Sequence, residues 1–460
     1  MFPRETYESR RNTLMSRFDG GLLLLLGNGE SPMNYADNCY PFRQDSTFLY
    51  YFGLDQPDLA AVMDVNAGST VLFGDELTID DIVWMGDLPS LASRAEKVGV
   101  PDTRPRATLA EILGRAVTAG RAVHFLPPYR AQTKLQLQDL LALTPEEVSR
   151  EASETFIKAV VDQRAHKSDE EVAEIEQAVA TSVAMHEAAI RMVRPGMTEM
   201  AIAAEMERMA LVAGGRIAFP VIATINGQTL HNHAHGNTLS EGDLFLLDTG
   251  AETAMGYAGD LTSTFPVGPR FTERQRAIQE IVLAACDTAV SALAPGVPNR
   301  EVHFTACRTI FEGMKALGIM RGDTEEALAA GAHAMVMPHG IGHMMGLDVH
   351  DMENLGEAYV GYGGEARSTQ FGLKSLRLAR PLEHGFVVTI EPGVYFIPQL
   401  MDLWRAEGRH TSFIDYDELD KWRDFGGTRN EEDYLVTADG ARRLGPRKPQ
   451  TVNEIEGLKD

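Results

Sequence analysis

Two acidic residues stand where apolar strands should be ending. Asp248 closes the run LFLL and Glu391 closes the run VVTI, so each carries a carboxylate at a position whose neighbours are built for burial. A buried carboxylate is costly unless a cation or hydrogen-bond donors meet it. Asp260 follows Asp248 by twelve residues, a spacing suited to two adjacent strands joined by the turn around Ala254, Met255 and Gly256, so that both side chains converge. The segment RNEEDYLVT supplies more acids, and strand alternation sends the neighbours Glu431 and Glu432 to opposite faces without choosing between them. Between the two pairs lies PHGIGHMMGLDVHD, whose glycine-spaced backbone can bring His339, His343 or His350 into close approach. Several carboxylates with one imidazole form a hard, oxygen-rich donor set, and four carboxylates balance two divalent cations in charge. Such a pair of ions bridges a water, lowers its pKa and polarises a carbonyl. Taken singly, an aspartate at a strand end is an ordinary turn residue and a glycine-histidine segment an ordinary loop; those readings leave the whole set unexplained.

The elements that must position these groups fall into two parts. Over the first 150 residues, short apolar runs alternate with turns: GGLLLLLGNG, STFLYYFGL, LAAVMDV, STVLFGD and RAVHFLPP, with a helical stretch near TLAEILGRAV. That pattern predicts an α/β unit of buried strands. The more polar, helical LLALTPEEVSREASETF carries the crossing out of it, which puts a domain boundary near residue 155 and gives domains 1–155 and 156–460. Beyond it, a long amphipathic helix opens at Ser168 as N-cap and stops at Pro195-Gly196; a second opens at Thr272 and stops at Pro295-Gly296. Each is followed by a further helix, beginning near Glu199 or Arg300. The repeated helix, Pro-Gly turn, helix unit hints at an internal duplication, although local composition alone can produce it. Strands follow each unit, DLFLLDTGAE and GDLTSTFPVG after the first, GFVVTIEPGVYF and EEDYLVT after the second, which predicts an α+β layer architecture.

Composition narrows the function classes. The 460 residues are 44% hydrophobic and 23% charged, ordinary for a folded globular chain of two or three domains. A formal charge of −24 repels phosphate backbones and anionic lipid headgroups, so neither nucleic acid nor membrane is an expected partner. Three cysteines without CxxC spacing describe neither a disulfide framework nor a thiolate zinc site, and no signal peptide or membrane span is visible. A reducing, cytoplasmic location is expected.

The segments LLDTGAETAMGYAGDLTSTFPVG, PHGIGHMMGLDVHD, TIEPGVYF and GTRNEEDYLVT resemble the successive motifs of the metal-dependent pita-bread peptidases, in the aminopeptidase P and prolidase branch. The stretch YPFRQDSTFLYYFGLDQPD is similar to the non-catalytic N-terminal domain of the same enzymes, so the likeness spans nearly the whole chain. By motif position the resemblance implies Asp248, Asp260, His343, Glu391 and Glu431 as ligands of two divalent ions, normally Mn2+. It selects Glu431 over Glu432 and puts Arg429 on the same face; Asn430 stands where the family carries an apolar residue, a departure confined to the strand's other face. It also implies an N-terminal α/β domain followed by a pseudo-twofold pita-bread catalytic domain.

The same resemblance places His231 and His350 as hydrogen-bonding groups around a substrate carbonyl, with Glu391 as proton carrier, and His339, Arg377 and Arg429 as substrate-binding residues. The clustered His231, His233 and His235 would alternatively make a separate metal site as in amidohydrolase barrels, but eight strand-helix units are missing; for His233 and His235 a polar loop role is expected. The activity implied is hydrolysis of the bond between an N-terminal residue and proline. Arg377, fourteen residues before Glu391, sits where prolidases grip the free proline carboxylate, and the long insert between Glu391 and Glu431 is also prolidase-like, so a dipeptidase is expected. An aminopeptidase P acting on longer peptides is the alternative, and a non-catalytic peptide-binding pita-bread protein a remote one. A homodimer or homotetramer is expected by analogy, and an organophosphorus side activity is left open.

Overall fold

The computed structural model describes residues 1–459, and the chain divides into two compact units, Met1–Arg164 with Met352–Tyr359, and Ala165–Asp351 with Val360–Asp460. Residue 155 lies in the first turn of helix Glu154–Ala165, and the division of packing falls at that helix's far end. Among the described residues no helix is long and apolar enough to cross a membrane.

The first unit is built on a mixed five-stranded sheet in the order β4-β3-β2-β1-β5: β1 (Leu22–Leu26), β2 (Ala60–Asp64), β3 (Ser69–Phe73), β4 (Asp102–Arg104) and β5 (Val123–His124). The leucine run becomes an inner strand, antiparallel to β2 and parallel to β5, and four of its five leucines are buried. That double-sided burial is what a run without alternation requires. Leu22 and Leu24 pack with Leu109 and Leu113 of helix Leu109–Thr118.

One expected strand is a helix. STFLYYF, rich in β-prone aromatics, forms helix Ser46–Phe52. Asp45 accepts the Phe48 N–H at 2.8 Å as N-cap, and Gly53 ends the helix in the left-handed region with φ +61°. The two end signals frame the segment and outweigh the propensity of the residues between them.

The second unit carries the repeated pattern. Ser168 caps helix Asp169–Met192 and Thr272 caps helix Glu273–Ser291, each with a reciprocal bond from the third helical residue, Glu171 or Gln275. After each Pro-Gly, helices Glu199–Val212 and Asn299–Ala316 follow. Gly196 and Gly296 both turn at positive φ, +88° and +84°. The two turns are then pinned identically: Gly196 N–H donates to Leu239 O at 2.8 Å, Leu239 N–H to Met197 O at 2.8 Å and Glu199 N–H to Asn237 O at 3.1 Å. Gly296, Leu382 and Asn299 make the matching bonds to Leu382 O, Val297 O and Arg380 O at 2.8, 2.9 and 3.0 Å. Local composition does not reproduce three long-range bonds twice, so the repeat is a pseudo-twofold of the fold.

Each half contributes a small antiparallel sheet. The strands are β6 (Arg216–Ile217), β7 (Ile222–Thr224), β8 (Leu244–Thr249), β9 (Ala251–Glu252), β10 (Leu261–Pro266), β11 (Val387–Ile390), β12 (Gly393–Tyr395), β13 (Gly427–Arg429), β14 (Glu432–Val436) and β15 (Ala441–Arg443). Their orders are β10-β8-β7 and β11-β14-β15, with pairs β12-β13 and β6-β9. Phe245, Leu247 and Phe265 sink into a core with Ile190, Ile202 and Met206 from the flanking helices. The two sheets meet at one bridge, Thr262 opposite Glu431, where Glu431 N–H donates to Thr262 O at 3.2 Å.

Candidate metal centre

That bridge lies at the centre of the site. β8 and β10 pair so that Thr262 stands opposite Asp248, and Asp260 immediately precedes β10. With Phe245 and Leu247 committed to the core, the alternation of β8 turns Asp248 to the other face. Across the bridge, Thr262 donates its hydroxyl to Glu431 Oε2 at 2.7 Å, whereas Glu432 turns away and accepts from the Tyr434 hydroxyl at 3.2 Å. Alternation thus separates the two glutamates, and the bridge decides which one faces Asp248 and Asp260.

The glycine-histidine segment is not a loose loop. Ile341 O, His343 O and Met345 N–H bond in turn to Glu391 N–H, Thr389 N–H and Val387 O at 2.8, 3.0 and 3.0 Å, so residues 341–345 run along β11. Gly342 is required for that approach, since a Cβ there would lie 2.0 Å from the Thr389 carbonyl oxygen. His343 Nδ1 sits 3.0 Å from Met344 O, which can only accept. The Nδ1 proton is therefore directed to that carbonyl, and Nε2 faces Asp260 Oδ2 at 3.4 Å and Glu391 Oε1 at 3.8 Å. Asp260, His343 and Glu431 each offer a ligand atom within 4.8 Å of the others.

Four carboxylates, from Asp248, Asp260, Glu391 and Glu431, now share one site with two arginines, of which Arg429 is bonded into the cluster. Arg429 donates to Asp248 through Nη2, to Tyr395 Oη through Nη1 at 2.8 Å and to Thr262 Oγ1 through Nε at 3.1 Å. Burial first, then the charges of Asp248 and Glu391, hold the Asp260 carboxyl well above the usual range. Burial and then Asp260 do the same to Glu431, and burial and then Glu431 to Glu391. Asp260 Oδ1 is buried without a hydrogen-bond partner. Divalent cations relieve every one of these costs, and the donors are of the hard oxygen type they prefer.

The other expected residues line the same cavity of about 450 Å3: His231, His339, His350 and Arg377 stand on its wall beside the carboxylates. The His350 ring lies 4.1 Å from that of His343. Burial and then the Arg429 charge lower the His231 pKa. His339 is pushed down to about 3 by burial and Arg429; its Nδ1 meets Gly340 O at 2.7 Å and its Nε2 the Tyr395 hydroxyl at 3.0 Å. His233 also borders the cavity, and His235 Nε2 meets Val221 O at 2.9 Å instead of a metal-like cluster.

Three residues escaped the sequence reading. Tyr395 links Arg429 to His339, Thr262 orients Glu431, and Asp433 Oδ2 accepts the Asp260 N–H at 3.0 Å. A period-2 signal was available for two of them: Thr262 lies two residues after Asp260, and Asp433 two after Glu431. Asn430 points to the opposite side, bonded to Cys286 Sγ at 3.3 Å and to Lys448 Nζ.

A pseudo-twofold α+β unit closing four carboxylates and an imidazole around one cavity defines a metal-dependent hydrolase. Residues 173–438 match the metallopeptidase family M24 and residues 7–124 the aminopeptidase P N-terminal domain. The chain is 32% identical over 447 residues to the Xaa-Pro dipeptidase of Rattus norvegicus, covering 95% of this chain and 88% of that one. It is 30% identical over 473 residues to the Xaa-Pro aminopeptidase of Escherichia coli strain K12, covering 99% and 97%. The solved structure of the Pseudomonas aeruginosa aminopeptidase PepP superposes with a TM-score of 0.82 at 29% identity, over 99% of this chain and 98% of that one. The chain belongs to the M24 metallopeptidases, in the pita-bread aminopeptidase P and prolidase family, and is a peptidase that works with divalent metal ions.

Proposed function

We propose that the chain is an Xaa-Pro dipeptidase using two Mn2+ ions held by Asp248, Asp260, His343, Glu391 and Glu431. The carrying observation is the division of labour between its two site arginines. Arg429 is bonded to Asp248, Tyr395 and Thr262 within the carboxylate cluster, and Arg377 lines the cavity wall, a second cation that a substrate's terminal carboxylate would meet. Relatives at about this identity include both dipeptidases and aminopeptidases, so the carboxylate contact is what separates the readings.

Such ions, when bound, lower the pKa of water and polarise a carbonyl. The residues supply the rest. The Xaa-Pro bond lacks an N–H, so recognition rests on the carbonyl and on the proline ring and carboxylate. His350, beside His343, donates to the carbonyl oxygen as it gains charge, with His231 on the same wall. Glu391, on the cavity wall beside the other carboxylates, carries a proton to the prolyl nitrogen as the bond breaks. Phe219, Pro220 and Val349 give the cavity an apolar side for the ring. Free thiols at Cys39, Cys286 and Cys307 support a reducing, cytoplasmic setting.

An aminopeptidase P is the second reading, favoured by the 0.82 TM-score to PepP. The test strips the metal, restores Mn2+ and compares Ala-Pro with Ala-Pro-Ala. Cleavage of the dipeptide alone supports the proposal, and comparable cleavage of the tripeptide moves the chain to the second reading.

A further inference from the structure

Away from the carboxylates, the second unit buries a group of donors of a different kind. His303 and Cys307 lie one turn apart on helix Asn299–Ala316, and both are 0% exposed. His333, 1% exposed, faces them from the short turn Ala332–Met335, and neither of its ring nitrogens has a hydrogen-bond partner. Met337, also fully buried, brings its thioether to 4.0 Å from Cys307 Sγ.

An imidazole costs a core more than a phenyl ring of similar size unless its nitrogens are satisfied. His333 satisfies neither, and its edge-on ring contacts with His303 and Phe304 do not call for nitrogens in the ring. The spacing gives a reason for them: Cys307 Sγ lies 3.4 Å from His303 Nε2, and one ligand atom from each of His303, Cys307 and His333 lies within 4.8 Å of the others. Two ligands on one tetrahedral ion, with bonds near 2.0–2.1 Å to nitrogen and 2.3 Å to sulfur, stand about 3.5 Å apart for nitrogen and sulfur and about 3.8 Å for two sulfurs. Cys307 Sγ is therefore already at ligand spacing from His303 Nε2 and close to it from the Met337 thioether, with a His333 nitrogen within 4.8 Å.

We propose that His303, Cys307, His333 and Met337 form a second, mononuclear metal site that takes one Cu+ ion. A thiolate and a thioether are soft donors and the two imidazoles suit copper as well, unlike the oxygen set of the peptidase centre. Charge makes the same selection. A thiolate with Cu+ is neutral in sum, whereas Zn2+ leaves a net positive charge buried among apolar side chains. Burial keeps His303 and His333 uncharged, the latter at about 4, and pushes the Cys307 thiol up, so the thiolate forms only as the ion displaces the thiol proton, which is released to solvent.

The test uses the full-length protein, expressed in copper-supplemented medium and purified anaerobically with its peptidase metals in place. About one copper per chain is expected, resistant to mild chelation, with an ultraviolet thiolate-to-copper charge-transfer band that the all-oxygen-and-imidazole centre cannot produce. Cys307→Ser should lose both copper and band while keeping peptidase turnover. Met337→Leu, an apolar change of similar volume, should fold normally and release copper more readily to the chelator, which secures the test if the serine variant is unstable. Wild-type protein without copper, copper and band surviving in Cys307→Ser, or zinc bound in preference to copper would each overturn the proposal.

Discussion

Removing the Arg377 side chain isolates the contact on which the dipeptidase reading rests. Arg377 is partly buried and borders the cavity that holds Glu391 and Glu431, so a substrate carboxylate placed against it leaves water only in part. A charged hydrogen-bonded pair contributes about 1.5–3 kcal/mol, and the partial exposure argues for the lower half of that range. Roughly 1.5–2 kcal/mol corresponds to a ~10- to 30-fold change in kcat/KM. Arg377→Ala should lower kcat/KM for Ala-Pro by that factor, chiefly through KM, because the contact is made equally in the ground and transition states. The control is chemical: Ala-Pro amide lacks the carboxylate, so wild-type enzyme should lose a similar factor on it, and the variant should treat the dipeptide and its amide nearly alike. Steady-state kinetics of both enzymes on both substrates complete a double-mutant cycle. Equal losses on the dipeptide and the amide, or an unaffected variant, would refute the assignment.

Three further outcomes follow from the centre. Asp260→Asn removes one charge from four crowded carboxylates, so metal content measured by elemental analysis should fall while the metal-free protein melts no lower than wild type; two ions retained with full turnover would remove Asp260 from the ligand set. His350→Ala should lower kcat by ~10²-fold or more with metal content intact, and a variant recovered metal-free would make His350 a ligand. Metal-free protein should lose stability as pH rises from the ordinary carboxylate values, 3.8 for Asp260 and 4.5 for Glu391 and Glu431, toward their raised folded values, because the folded state holds the protons longer than the unfolded one. Thermal melts across that range should show the fall only without metal, and an identical profile in the loaded protein counts against these carboxylates as the binding site.

What the sequence disclosed depended on whether a residue broke a rule of its own neighbourhood. Asp248 and Glu391 were legible because a carboxylate at the end of an aliphatic strand violates burial, and the capped helices from Ser168 and Thr272 because both ends carry their own signals. Alternation puts Glu431 and Glu432 on opposite faces without choosing between them. What chooses is Thr262, nearly 170 residues away in sequence, whose hydroxyl meets Glu431 and whose strand bridges to it. Tyr395 was invisible for the same reason, since it acts through partners from other segments, whereas Asp433 carried a period-2 signal after Glu431. The aromatic helix Ser46–Phe52 failed differently: its composition is strand-like, and only the Asp45 and Gly53 ends reveal it.

The pseudo-twofold explains why the chemistry gathers where it does. Each half brings a sheet, Asp248 and Asp260 at one, Glu391 and Glu431 at the other. Neither half alone holds more than two of the four carboxylates, and each pair would sit at a strand end as an ordinary solvated turn. Joining the sheets through Thr262 and Glu431 buries Asp248, Asp260 and Glu431, crowds the half-buried Glu391 beside them and leaves Asp260 Oδ1 without a partner. Three carboxyls are displaced above their usual range by this crowding, a cost that bound cations would relieve, so a substitution that loosens the bridge, such as Thr262→Val, should lower metal content before it lowers the melting temperature.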